Sequence, residues 1–308
     1  MIPHSKPYLT ETDFEATRRL VASGMLAKGP ISCKLENYLK ETFTCHHAIL
    51  TASGATALVD ALRLQDLAPN SRVVLPSYVC ESVLLAVETA NCIPVLCDIG
   101  PNWTMTEASI RQSVTDSFDA IIAVSIFGID CNIAELRNFG VPIIHDCCQS
   151  PAPLWDLKSN ADIGDVIVLS FHATKYLAGG HGGAALFVNE YPLKAKKAEE
   201  YLLGARLLSA MTDLQAQLVL TQFEQFETLY AKRQELAKRY FEELPNFCAE
   251  KLKNILSSNE ASWGRLFRFV LTVPQLRFQE AQDLFASFGV SVRRGVDELL
   301  HRKLELDD

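Results

Sequence analysis

Residues 165–188 read DVIVLSFHATKYLAGGHGGAALFV. Asp165–Phe171 is a short, β-branched apolar run, the pattern of a strand buried on both faces. Lys175 follows it, then glycines at 179, 180, 182 and 183, then a second apolar run over Gly183–Val188. Five runs of the same kind precede these two: Ala48–Thr51, Val73–Leu75, Ile93–Cys97, Ala120–Ile126 and Val141–His145. Helical patterns lie between several of them, at Ala55–Leu67, Glu81–Ala90 and Ile133–Phe139. Strands alternating with helices predict an α/β fold, a mostly parallel sheet with helices on both faces, in three layers.

The flanks read differently. Thr10-Glu-Thr-Asp13 caps a helix running to about Ser23 and stopping at Gly24, and Glu36–Thr42 is a second helical stretch. After Tyr191 the strand pattern stops. Residues 193–243 are charged and periodic, as one or two long amphipathic helices that end near Pro245. Residues 262–296 alternate strand, helix, strand (Leu266–Val273, Gln279–Phe288, Val290–Val292), which predicts a smaller α/β domain at the carboxyl end. The division expected is a large domain over 1–205 and a small one over 206–308.

The chain has 308 residues and a formal net charge of −8, and no basic run reverses that balance locally. A nucleic-acid partner, which needs Lys and Arg to displace counterions, is therefore not expected. No apolar run approaches the roughly 20 residues of a membrane span, and Met1–Pro7 lacks the apolar stretch of a signal peptide. The nine cysteines are odd in number and contain no CxxC pair. They fit reduced thiols in a cytoplasmic protein and supply no metal-ligand spacing, so no metal is expected.

In a parallel sheet, ligands bind beyond the carboxyl ends of the strands, and three segments place polar residues there. In Thr51-Ala-Ser-Gly-Ala-Thr-Ala-Leu58 a strand ends in a Ser-Gly turn that opens a helix. The N–H groups of Gly54, Ala55 and Thr56, with the helix dipole, make an anion site suited to phosphate. An ordinary Ser N-cap reads the same way. In Val141–Ser150, Asp146 follows four apolar residues, where a carboxylate is costly without a partner. A protonated ring nitrogen is one such partner, and a turn or cap Asp is the plain alternative. In the third segment, partial desolvation beside an apolar strand would make Lys175 a nucleophile toward an aldehyde. A surface lysine before a glycine-rich hairpin is the alternative there. Taken together, a phosphate cradle, a carboxylate for a pyridinium nitrogen and a Schiff-base lysine are the requirements of pyridoxal 5'-phosphate (PLP).

Over residues 1–250 the chain resembles the DegT-type sugar aminotransferases, of the fold-type-I PLP group that includes aspartate aminotransferase. The likeness rests on IPHSKPYLTE and SGMLAKGP near the start, then SGATALVDAL, VVLPSY and IPVLCDI, and above all on HDCCQS and SFHATK. The resemblance implies a PLP-dependent aminotransferase acting on a sugar nucleotide or another small carbonyl compound. Glutamate is the expected amino donor, and the active site lies at the interface of a homodimer. It implies that Lys175 binds the cofactor aldehyde, Asp146 the pyridine nitrogen, and Gln149 the region of the phenolic oxygen. Gly54 and Ala55 would donate to the phosphate from the backbone and Ser170 from its hydroxyl. His172 is either near the cofactor or substrate phosphate or a strand-end histidine facing solvent. A minority of relatives carry histidine in place of the lysine and act as dehydratases, and Lys175 speaks against that branch.

Some positions depart from the family pattern. Ala55 replaces a threonine, and Cys80 stands where an aromatic ring usually stacks on the cofactor, with Tyr78 a substitute. His181 replaces a glutamate in the glycine-rich loop. Leu208 falls where an asparagine reaches the partner subunit's phosphate, and Ala210 replaces an arginine. Two further readings keep PLP. ATKYLAGGHGG loosely resembles a stretch of the cysteine/methionine-metabolism lyases, and the missing partner-facing residues would suit a non-catalytic, regulatory PLP-binding protein.

Overall fold

A computed structural model describes residues 1–150, 163–189, 201, 203–204, 209–244, 246–256 and 260–305. Seven strands form one sheet: β1 (His47–Thr51), β2 (Arg72–Pro76), β3 (Ile93–Cys97), β4 (Ala120–Val124), β5 (Ile143–Asp146), β6 (Val166–Ser170) and β7 (Gly183–Phe187). Their order is β1-β7-β6-β5-β4-β2-β3. Pairings among β2 to β6 are parallel, whereas β7 runs against both of its neighbours. The carboxyl ends of β1, β5 and β6 therefore share one edge with the amino end of β7. All seven expected strands are present, with their ends shifted by no more than two residues.

Helices cover both faces. α1 (Glu11–Ser23) and α2 (Pro30–Thr42) precede the sheet. α3 (Gly54–Arg63), α4 (Glu81–Thr89), α5 (Glu107–Ser113) and α6 (Ile133–Leu136) are its crossovers. α3 and α4 bury Ala57, Leu58, Leu62, Val83 and Val87 against Val73, Ile122, Val166 and Phe187. On the other face α2 and the helix Asp213–Glu224 pack Leu35, Leu39, Val219 and Leu220 against Ile167, Leu169 and Leu186. With apolar side chains on both faces, every strand but the edge strand β3 buries all or all but one of its residues, which is why their sequence runs do not alternate.

α1 ends as its sequence predicts, at Gly24 in the left-handed region with φ 73°. α2 begins six residues earlier than expected, at Pro30. Its first turn is held by a distant residue: Asp213 accepts from the N–H groups of Gly29 (2.8 Å), Ile31 (3.1 Å) and Ser32 (2.8 Å), and from the Ser32 hydroxyl. α5 was not anticipated, although Thr106 and Ser109 form a reciprocal cap at 3.0 Å each way.

Beyond the sheet, helices Asp213–Glu224 and Phe226–Glu243 match the amphipathic pattern, and Phe278–Ser287 matches the helix expected at 279–288. The two strands expected around that last helix do not pair with each other. Leu266–Val273 forms no strand, and its backbone is taken up elsewhere: Phe267 N–H donates to Phe127 O (2.9 Å), Thr272 N–H donates to Cys248 O (2.9 Å), and Arg233 donates to Leu266 O (3.0 Å). Val290 makes an isolated bridge with Ile2. The 205/206 boundary and Leu208 lie outside the described residues. Among the described residues no helix is long and apolar enough to cross a membrane, and no group of three or more His, Cys, Asp or Glu is placed to hold a metal ion.

Candidate active site

Ser53 ends the β1 turn in extended backbone and caps α3. Its Oγ accepts from Thr56 N–H (3.1 Å) and meets Thr56 Oγ1 at 2.9 Å. That cap consumes the third N–H of the helix. The N–H groups of Gly54 and Ala55 donate to no described residue. The turn lies very close to the end of β6, since a Cβ on Gly54 would come within 2.8 Å of Ser170 Cβ and 3.1 Å of Cys148 Sγ. The glycine-rich loop closes the other side. A Cβ on Gly183 would sit 2.5 Å from the Ser53 carbonyl, so glycine is what lets β7 start against this turn.

One strand further, β5 delivers Asp146 at its carboxyl end, 4% exposed. Its Oδ1 accepts from Cys148 N–H at 2.9 Å, and among the described residues it makes no ion pair. On the opposite side of the same strand, His145 is fully buried and meets Ser125 Oγ through Nε2 at 2.8 Å. Burial, and then Arg137, push this imidazole down to about 4. Gln149 follows β5, and its Oε1 accepts from Phe127 N–H at 3.2 Å, which leaves its amide nitrogen as the free end.

Lys175 stands on the loop after β6, where its N–H donates to His172 O at 2.8 Å. Its Nζ lies 5.4 Å from the ring centroid of Phe267. Gly54, Ala55, Asp146, Gln149, Ser170 and Lys175 line one cleft, open to solvent, with about 480 Å³ of empty space. Val79, Cys80, Ser82 and Cys148 share its walls. Burial, above all, raises the Cys148 thiol well beyond the ordinary cysteine range, and Asp146 adds to that. The thiol is therefore a protonated wall rather than a nucleophile.

Two of the expected residues are not on the wall. Thr56 turns its hydroxyl to Ser53, and His172 sits behind Ser170, to whose Oγ it donates its N–H at 3.4 Å. His172 Nδ1 meets the Thr174 hydroxyl at 3.0 Å and accepts from Thr174 N–H at 3.3 Å. The His172 ring packs edge-on to the exposed His181, with centroids 5.0 Å apart. Burial lowers His172, and His181 and Lys175 lower it further. Tyr78, the substitute expected for the aromatic lost at Cys80, does not line this cleft. It packs edge-on to Phe127 at 6.2 Å, and a Cβ on Gly295 would meet its hydroxyl at 2.3 Å.

Sequence reasoning missed Phe127 and Phe267. Phe127 (φ 59°) and Gly128 (φ 91°) form a left-handed turn after β4 that orients Gln149 through one end and seats the 265–268 segment through the other. The signal was present: a glycine directly after a strand's carboxyl end marks a turn that needs positive φ.

The cleft offers backbone donors, a hydroxyl, a buried carboxylate that pairs with no cation among the described residues, and an amine. That donor set suits a group bearing a phosphate, a protonated ring nitrogen and an aldehyde. The whole chain superposes on a putative sugar aminotransferase, Spr1654 from Streptococcus pneumoniae, in its PLP form. The TM-score is 0.80 at 20% identity, over 99% of this chain and 88% of that one. It is also similar to the aminotransferase TlmJ from Streptoalloteichus hindustanus, with TM-score 0.68 at 23% identity, over 79% and 71% of the two chains. Protein MosB of Rhizobium meliloti is 28% identical over 204 residues, which are 64% of this chain but only 40% of MosB. Residues 7–291 match the DegT/DnrJ/EryC1/StrS aminotransferase family, and the chain belongs to it.

Proposed function

We propose that the protein is a PLP-dependent aminotransferase that moves an amino group, from glutamate as donor, to a keto group of a sugar nucleotide or another small carbonyl compound. One observation carries this reading: elements far apart in sequence bring free N–H donors, a hydroxyl, an unpaired buried carboxylate and an amine to a single cleft. Structural neighbours solved in PLP and pyridoxamine phosphate forms support it, Spr1654 and the Bacillus subtilis protein NtdA among them.

When bound, PLP supplies a ring that draws electrons from the carbon bearing the transferred nitrogen. In this reading the chain does the rest. Gly54 and Ala55 N–H groups, with the α3 dipole and the Ser170 hydroxyl, hold the phosphate. Thr56 fixes the cap behind them, and His172 fixes Ser170. Asp146, buried and without a competing cation, keeps the proton on the ring nitrogen. Gln149, turned by Phe127 N–H, offers its amide hydrogens to the phenolic oxygen. Lys175 would hold the aldehyde, and its Nζ would move the proton at the substrate's amino-bearing carbon. The same reading takes the enzyme as a cytoplasmic homodimer, with a large PLP-binding domain over 1–205 and a small domain over 206–308.

An absorbance titration tests it. Wild type with PLP is expected to show a near-visible band that glutamate bleaches, and Lys175→Ala is expected to lack the band and the half-reaction. Loss of that proton-transfer group lowers the rate by about 100-fold or more. A wild-type band that no amino donor alters would favour the regulatory or lyase readings. No band at all would remove the site assignment.

A further inference from the structure

The stretch 77–83 leaves the carboxyl end of β2 and walls one part of the cleft. Val79, Cys80, Ser82 and Val83 line it. The other three residues, Ser77, Tyr78 and Glu81, meet the segment 295–303 instead. Ser77 N–H donates to Cys97 O on β3 (2.9 Å), and its carbonyl accepts from Leu300 N–H (3.1 Å). Its hydroxyl oxygen accepts from His301 N–H (3.3 Å) and meets His301 Nδ1 at 2.7 Å. Lys303 pairs with Glu81 at 2.6 Å. The Tyr78 hydroxyl fills the space that a side chain at Gly295 would need.

These contacts differ in weight. Lys303 and Glu81 are partly exposed, so their pair contributes little. The helix Leu300–Lys303 has four residues, too few to hold its own shape without packing. Leu300 supplies that packing: it is 1% exposed and belongs to the same buried cluster as Val79, Val83 and Leu84. Ser77 and His301 are both half-buried, where a polar group that loses its partner is penalised. The wall has little of its own to fix it, since Cys80 caps α4 without a side-chain bond. The segment behind the wall therefore does the fixing, and Ser77 is where it takes hold.

We propose that His301 is a positioning residue of the cofactor cleft. By holding Ser77 from behind, it sets where Val79, Cys80 and Ser82 stand. His301 is not among the residues that line the cleft, so it acts through Ser77 and meets no ligand itself. The proposal rests on the PLP reading and extends the machinery of the site to the carboxyl-terminal segment.

The test is a PLP titration of the full chain, followed by fluorescence. His301→Ala and Ser77→Ala are each expected to weaken PLP by about fivefold. The double variant should lose no more than either single one, because both remove the same contact. His301→Asn, which keeps a polar atom near the place of Nδ1, should recover most of the affinity. A merely structural role would lower the melting temperature and leave the affinity of the folded molecules unchanged. The wild type gives a reading that needs no variant. Coupling between two sites is reciprocal, so PLP loading should slow amide hydrogen exchange at Leu300 and His301. Wild-type affinity in His301→Ala, additive losses in the double variant, or unchanged exchange at both amides would each overturn the proposal. A wild type that binds no PLP is a separate result and bears on the cofactor reading. Iodoacetamide labelling of the cofactor-free protein, mapped by peptide mass, then decides the role of His301. Its loss should speed labelling of the half-buried Cys148 in the cleft, while the exposed Cys33 reacts as before. Equal Cys148 rates in wild type and His301→Ala would overturn the proposal by this route.

Discussion

Gly54 shows how little room the cleft leaves. It opens α3 with a backbone donor that no described residue takes up, while the end of β6 passes within contact of the position a Cβ would occupy. A methyl group there must displace Ser170 or tilt the first turn of α3, and either change would spoil the phosphate cradle proposed for this turn. Overpacking of this kind costs about 1–3 kcal/mol, so Gly54→Ala is expected to weaken PLP binding by about tenfold or more with only a small change in melting temperature. A PLP titration followed by absorbance or fluorescence reads this directly, and wild-type affinity in the variant would show that the turn does not hold the phosphate. At this scale the sequence could place Lys175, Asp146, Ser170, Gly54, Ala55 and Gln149 at strand ends and turns, and there they line one cleft. Phe127 and Phe267 were not legible in the sequence. Their importance comes from a contact between residues 127 and 267, and nothing local in either stretch announces it.

The start of α2 illustrates what an element owes to a remote residue. Pro30 opens the helix, and one carboxylate from residue 213 satisfies three of its first N–H groups. Burial opposes the charge, but the hydrogen bonds from the Ser32 hydroxyl and from Ser32, Ile31 and Gly29 N–H prevail, and Asp213 lies below the ordinary value of 3.8. A carboxyl group depressed in the folded state contributes stability that is fully present above its unfolded value and is lost as pH falls through the folded one. Asp213→Asn should therefore destabilise the protein at neutral pH, by about 1–3 kcal/mol. The gap between the two melting curves should narrow as pH drops below 3.8. A gap that stays constant from pH 7 to pH 3 would mean that the charge of Asp213 does not hold α2. The sequence could place Glu36–Thr42 in a helix from its periodicity alone. It could not place the first turn, because the cap that makes it stable comes from the far end of the chain.

Over the whole molecule, the seven strands and every crossover helix but α5 read cleanly, since each is a local pattern covered by its own neighbours. The carboxyl-terminal part read less well. Leu266–Val273 has the apolar composition of a strand, yet its hydrogen bonds go to Phe127, Cys248 and Arg233 rather than to a ladder, and composition does not reveal the partner. The Phe127–Gly128 turn is thus the joint between the sheet and the segment that carries Phe267. Gly128 has φ 91°, and a Cβ there would lie 2.3 Å from Arg265 O. Gly128→Ala is expected to cost about 1–3 kcal/mol in backbone strain alone, and the overlap adds to that. Limited proteolysis should then cut faster within 260–300 while the sheet remains protected. Equal protection of both parts would show that the joint does not depend on this glycine.

The reversed strand β7 has a consequence in time. β1 has a single neighbour in the sheet, and that neighbour is β7. While the polypeptide emerges from the ribosome, β2 to β6 can assemble from near neighbours as they appear. β1 stays an unpaired edge until Phe187 has been made, on the order of ten seconds later. Only then do the turn at Ser53 and the strand that leads to Lys175 come to flank the same newcomer. A late, long-range closure of this kind is intrinsically slow, so the cleft is completed by the last strand of the sheet to be translated.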